Sequence, residues 1–292
     1  ESDPLFNGCT FSTSTYGGLL QDGAKANFRY CDFYHNKNGC AFVGDTVYPQ
    51  FHGCYFNDNQ NNGLDTSKSS FNAKGCKFIK NASNGLSALD GANGTVTESV
   101  FSENGANGAQ IGTQGLVSFE NCKFVDHTKQ YGVMALQNGI ANFNNCSFNN
   151  NMFHVKASQN SKITMDNSTM GPSIKGVAID ILTSTLKMSN STIHDVKTAG
   201  VVGVKDSNLD IEKCTFNDCG EFGLMAGEGT NFNIKDSTFT NSQKFGVFVN
   251  KSNGLIYNST FINLQEAGIF VDSGNADTKN NRFSCCKVEV RS

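Results

Sequence analysis

The sequence predicts an all-β chain, a right-handed parallel β-helix solenoid of about 13 coils of 22–24 residues with three short parallel sheets. Three observations predict it. One column of large apolar residues runs through the chain at a constant period: Phe11, Phe33, Phe56, Phe78, Phe101, Phe124, Phe148, Met170, Ile193, Phe216, Phe239, Phe261 and Phe283. Two residues ahead of it stands a column of small residues: Cys9, Cys31, Cys54, Cys76, Ser99, Cys122, Cys146, Ser168, Ser191, Cys214, Ser237 and Ser259, closing on Asn281. Six to eight residues behind it a Gly recurs, as at Gly39, Gly63, Gly85, Gly108, Gly132, Gly176, Gly200, Gly223, Gly246 and Gly268.

Each repeat opens on a turn residue, usually Gly, Asn or Asp (Gly8, Gly53, Asn121, Asn145, Asn190, Asp236), types that tolerate left-handed backbone. The Cys/Ser-x-Phe segment then alternates as a strand. A short turn follows, often carrying Asn (Asn36, Asn59, Asn81, Asn104, Asn151). The Gly next opens a second strand of alternating apolar residues, and a third strand, such as Leu209-Asp210-Ile211, leads to the next turn. Strands this short cannot bury a face alone, so equivalent strands of successive coils must pair in parallel around one core. No window sustains a helical period.

Composition removes several function classes. The net charge is −3 and only Arg29, Arg282 and Arg291 are arginines among 23 basic residues, which argues against a nucleic-acid partner. No apolar run is long enough for a membrane span, and the Glu-Ser-Asp-Pro start lacks the layout of a signal peptide.

Stretches such as Asn121-Cys122-Lys123-Phe124 leading to Gly132-Val133, or Asn258-Ser259-Thr260-Phe261 leading to Gly268-Ile269, resemble the parallel β-helix repeats of the pectin-lyase-like superfamily, over nearly the whole chain. The uniform Cys-x-Phe-x-x-Asn units are similar in style to the non-enzymatic β-helices of F-box proteins and periplasmic copper-site maturation proteins. The resemblance implies the fold. It leaves function open among polysaccharide lyases, glycoside hydrolases, epimerases, tailspikes, adhesins and non-catalytic modules.

Such enzymes generally build a cleft from long turn insertions, and the near-constant repeat length here provides none. The outward positions behind the Gly read Ala41, Asp65, Ser87, Gln110, Met134, Lys156, Ala178, Val202, Met225, Phe248 and Phe270, in which acids are scattered rather than paired. The best catalytic candidate is coil seven, where Phe153 replaces the Gly and His154 and Lys156 stand near His127 and Asp180; the alternative is a locally reshaped coil. The Cys column, without a Cys-x-x-Cys pair and interchangeable with Ser, reads as buried free thiols rather than a metal site, and no metal or cofactor is expected. Free thiols point to a reducing compartment. Seven Asn-x-Ser/Thr sequons (Asn81, Asn93, Asn145, Asn167, Asn190, Asn250, Asn258) leave secretion or the cell surface open, although four follow from the repeat itself. Cys285 and Cys286 are unassigned. A Thr column (Thr169, Thr192, Thr215, Thr238, Thr260) reads as β-propensity on a solvated face rather than an ice-binding array.

The most informative surface feature is a C-terminal apolar stripe, Ala178, Val202, Met225, Phe248 and Phe270, expected to point outward and to contact a protein partner or a second copy. The leading expectation is a single β-helix domain over residues 1–292, a segment of a longer protein, acting as a non-catalytic interaction or scaffolding module. A carbohydrate-active or carbohydrate-binding β-helix is the alternative, and a structural rod or adhesin stalk the third.

Overall fold

The structure is a computed structural model that describes residues 3–21 and 23–286. Arg291 lies outside the described residues. The chain divides into two compact units, Glu1–Met152 and Phe153–Ser292. Both are built of short parallel strands in three repeating ladders, as the periodicity predicts. Ladder A holds the Cys/Ser-x-Phe strands, ladder B the strands behind the Gly, and ladder C the closing strands.

In unit 1, ladder A runs from Thr10–Ser12 through Asp32–Tyr34, Tyr55–Asn57, Lys77–Ile79, Val100–Ser102 and Lys123–Val125 to Ser147–Asn149. Its register places Phe11, Phe33, Phe56, Phe78, Phe101, Phe124 and Phe148 directly over one another. Their rings stack, with centroids 4.9 Å apart for Phe56–Phe78 and 4.5 Å for Phe78–Phe101 at interplanar angles of 4° and 5°. A second stack from ladder C, such as Phe28 on Phe51 at 5.1 Å, meets the first edge-on: Phe51 lies 5.2 Å from Phe56 at 74°. Offset stacks meeting edge to face suit the aromatic quadrupole.

Unit 2 repeats the plan. Met170, Ile193, Phe216, Phe239, Phe261 and Phe283 stand in register, the last four as a ring stack. Two of its strands, Phe245–Tyr257 and Ala267–Lys279, run through the corner between ladders B and C without a break. This joins two of the three expected sheets into one.

The small column is buried because its side chains bond the backbone of the coil itself. Cys54 Sγ lies 3.4 Å from the Phe28 carbonyl oxygen and Cys122 Sγ 3.4 Å from that of Val96. Ser99 substitutes readily: its hydroxyl donates to the Thr97 carbonyl at 2.8 Å and accepts the Cys76 N–H at 3.0 Å. The ladder cysteines from Cys31 to Cys214 are free and buried, whereas Cys9 is half-buried. At the turn before each Cys the backbone is left-handed, at Asn121 (φ 55°) and Asn145 (φ 51°) as expected. Glu98 (φ 52°), Lys213 (φ 53°) and Tyr30 (φ 53°) adopt it too, so the coil geometry overrides residue preference there.

After each Phe, an Asn ladder closes the turn. In unit 1 the Nδ2 atoms of Asn59, Asn81, Asn104 and Asn151 each donate at 2.9 Å to the Phe carbonyl of the preceding coil (Phe33, Phe56, Phe78, Phe124). Their Oδ1 atoms accept backbone N–H groups, as from Asn81 to Asn104 at 3.1 Å. The Gly behind it relieves crowding: a Cβ on Gly85 would lie 2.7 Å from the Gly108 oxygen and 2.9 Å from Asn104 Nδ2.

Candidate functional site

With the core assigned, the outward columns carry the functional chemistry. In unit 2, ladder B aligns Lys156, Asp180, Val202, Met225, Phe248 and Phe270. The predicted stripe therefore needs one correction: Ala178 is fully buried, and Asp180 takes the outward place beside Val202. Ile179 pairs with Val201, which puts Ala178 level with Gly200, so it fills the Gly position. The register lies two residues beyond that expected from Gly176, which moves the outward place to Asp180.

The remaining stripe is broader than the sequence reading recognised. Phe222 and Phe245, the residues just ahead of the Gly, join Phe248 and Phe270 in one block. Phe245 stacks on Phe270 at 4.8 Å and 9°, Phe222 on Phe248 at 5.3 Å, and Phe248 on Phe270 at 5.8 Å. Phe222, Phe248 and Phe270 are half-buried. Lys244 crosses the block, its ammonium 5.9 Å from the Phe222 ring and 2.5 Å from the Glu221 carboxylate, which raises its pKa. The signal for Phe222 and Phe245 was present in the sequence as a second aromatic one residue before each Gly.

Unit 1 carries a different face. On ladder C the outward residues Asn27, Gln50, Asn72, Thr95, Ser118 and Asn142 follow one another in strict register, a column of uncharged hydrogen-bonding side chains over six coils. Two residues along each strand runs a second column, Arg29, His52, Lys74, Thr97, Glu120 and Asn144. Where the first three coils meet, the two columns and Tyr30 line a cleft of about 350 Å³ floored by Phe28 and Phe51. Tyr30 is 62% exposed, and its ring packs over Gly53, where a Cβ would come within 2.8 Å of it. The His52 ring meets Tyr30 edge-on at 5.6 Å. Neither column shares a residue identity along its length, so the repeat did not reveal it. In unit 1 the ladder B column Ala41, Asp65, Ser87, Gln110 and Met134 is in register as predicted, with Ala41 and Ser87 buried rather than outward. The Asn side chains beside it serve the fold, as when Asn107 Nδ2 donates to Asn84 Oδ1 at 3.0 Å.

Lys156 and Asp180 are register partners and ion-paired at 3.1 Å, both partly exposed. His154, level with Ala178, takes the Gly position and is fully buried; burial first and the His194 ring second push its pKa down to about 3. His127 belongs to unit 1 and replaces an Asn of the ladder. Its Nδ1 is 2.9 Å from Asn151 Oδ1 and its Nε2 3.3 Å from Asn104 Nδ2, so a neutral ring donates to one neighbour and accepts from the other. Burial lowers its pKa to about 4, against the Asn151 hydrogen bond. Its spacing from Asn104 and Asn151 would have revealed this place. Of the sequons, Asn81 is buried in the same ladder. The Thr column lies in register on a partly exposed face, as expected.

Among the described residues no helix is long and apolar enough to cross a membrane. No curated protein matches the sequence. Among solved structures, the Agl-KA catalytic domain superposes with a TM-score of 0.59 at 10% identity, over 97% of this chain and 61% of that one, so the chain spans about three-fifths of its length. The tailspike protein of the E. coli bacteriophage HK620, solved as a mutant in complex with a hexasaccharide, is similar at 0.48 and 12%, covering 97% and 73%. The A-module of the Azotobacter vinelandii mannuronan C-5 epimerase AlgE4 is similar at 0.47 and 11%, covering 92% and 89%. At these identities the likeness is one of fold. The family description "Right handed beta helix region" matches residues 1–101, 88–203 and 176–291, and with the ladders above this establishes that the chain belongs to the right-handed β-helix family.

Proposed function

We propose that the protein is a carbohydrate-binding β-helix, which holds a saccharide chain lengthwise on the outward face of ladder C in unit 1. The observation that carries this is the six-coil column Asn27, Gln50, Asn72, Thr95, Ser118 and Asn142. Sugar hydroxyls donate and accept at once, and amide and hydroxyl side chains are the groups that do the same. Strands about 4.8 Å apart offer one such group per coil, a repeating partner for a repeating ligand. The exposed Tyr30 ring supplies an apolar platform for the C–H face of a sugar beside that column. Each hydrogen bond contributes only about 0.5–1.5 kcal/mol net, so affinity accumulates with chain length. Titrating saccharides of increasing length tests the reading. Replacing Gln50 and Asn72 together by Ala is expected to weaken binding by about 30-fold, from two bonds of about 1 kcal/mol each. Absence of saccharide binding by the unaltered protein, or unchanged affinity in the double variant, overturns it.

The aromatic block of unit 2 favours a second reading, contact with a protein or a second copy. Its rings are stacked on one another, so they present edges rather than broad faces to the surroundings. That geometry accepts apolar side chains better than sugar rings. Phe248→Asp should abolish self-association in sedimentation or capture of a protein partner, and retention of both would count against this reading.

A further inference from the structure

We infer that the saccharide held in the unit 1 cleft is an acidic one, its carboxylate or sulfate groups seated on Arg29, His52 and Lys74. The inference rests on the carbohydrate reading and adds the charge of the ligand. These three side chains stand in direct register on consecutive coils, two residues along each strand from Asn27, Gln50 and Asn72. Within unit 1 the column's Arg and Lys stand only there: the next coils contribute Thr97 and then Glu120, and the coil before contributes Asn7. Arg29 and Lys74 stand one on either side of His52, two strands apart, so an oxyanion seated at His52 lies between the two charges. This chain has a net charge of −3 and only three arginines, so the grouping runs against its composition. An anion spanning the coils meets both charges, and Arg29 can grip an oxyanion through two N–H groups at once.

The cleft also orients what it binds. Tyr30, pinned over Gly53, holds the His52 ring edge-on at 5.6 Å, and Glu98 pairs with Lys74 at 3.2 Å on the flank away from His52 in register. Charge therefore lies along one edge of the ligand track and uncharged hydrogen-bonding groups along the other. An acidic saccharide has the matching layout, with anionic groups on one edge and hydroxyls on the other. A simple polyanion would leave the amide column unused.

The test compares four probes on the intact protein: a uronate oligomer, a sulfated oligosaccharide, a neutral oligosaccharide of equal length, and polyglutamate. The acidic saccharides should bind at least ten-fold more tightly than the neutral one, with affinity falling as salt rises. The paired substitution Arg29→Gln and Lys74→Gln, which keeps hydrogen-bonding capacity, should remove most of that advantage. The preferred arm among the acidic probes identifies carboxylate or sulfate as the seated group. Equal binding of neutral and acidic saccharides, unaffected by the charge substitutions, overturns the acidic assignment while the carbohydrate reading stands. Polyglutamate binding as tightly as the uronate oligomer overturns it in favour of an unspecific anion patch. Binding of no saccharide at all overturns the carbohydrate reading itself.

Discussion

His127 makes the buried Asn ladder of unit 1 sensitive to pH. The folded chain holds its ring neutral, with a pKa lowered from 6.5 to about 4, chiefly because burial penalises the charged form. In the unfolded chain the ring takes up a proton near its ordinary value. Above about pH 6.5 both states are neutral and the full stability is present. As pH falls toward 4 the unfolded state alone gains the proton and stability is lost, after which the loss levels off. At about 1.36 kcal/mol per pH unit, the interval from 6.5 to about 4 corresponds to a loss of about 3 kcal/mol. His127→Asn restores the residue found at Asn81, Asn104 and Asn151 and removes the titrating group. Denaturant unfolding of both proteins, followed by circular dichroism between about pH 7.5 and pH 4, measures the difference. Carboxylates and His154 titrate in both proteins and cancel in the comparison. The variant should match the parent within about 1 kcal/mol at neutral pH and exceed it by about 3 kcal/mol near pH 4. Parallel pH profiles would refute the reasoning, because proton uptake would then not be suppressed at this ring.

Other expectations follow from the same packing. Gly85→Ala should destabilise by about 1–3 kcal/mol, since its Cβ would press on the Gly108 oxygen and Phe78, and thermal unfolding measures this. Phe78→Ala should cost about 3–5 kcal/mol, because the ring is fully buried between Phe56 and Phe101. Cys76→Ser should change stability by less than about 1.5 kcal/mol in the same assay, because Ser99 already bonds the backbone from the neighbouring position. The partly exposed Lys156–Asp180 pair should contribute no more than about 1 kcal/mol in a double-mutant cycle.

The repeat was legible in the sequence because its core positions recur by residue type. Stacking demands Phe at each coil, the tight inner turn demands Cys or Ser, and the close passage of coils demands Gly, so each requirement leaves a column of identities. Outward positions carry no such constraint. Asn27, Gln50 and Asn72 are neighbours in space, yet Gln interrupts the Asn and they are spaced unevenly, by 23 and then 22 residues, so only the strand register joins them. The same uneven spacing misplaced Ala178: the Gly position falls two residues beyond Gly176, on Ala178 itself, which turned an expected surface contact into core. The sequence by itself determined the winding and the inner columns of this protein. The tertiary structure decided which side chains share a face, because that depends on register summed over coils of unequal length.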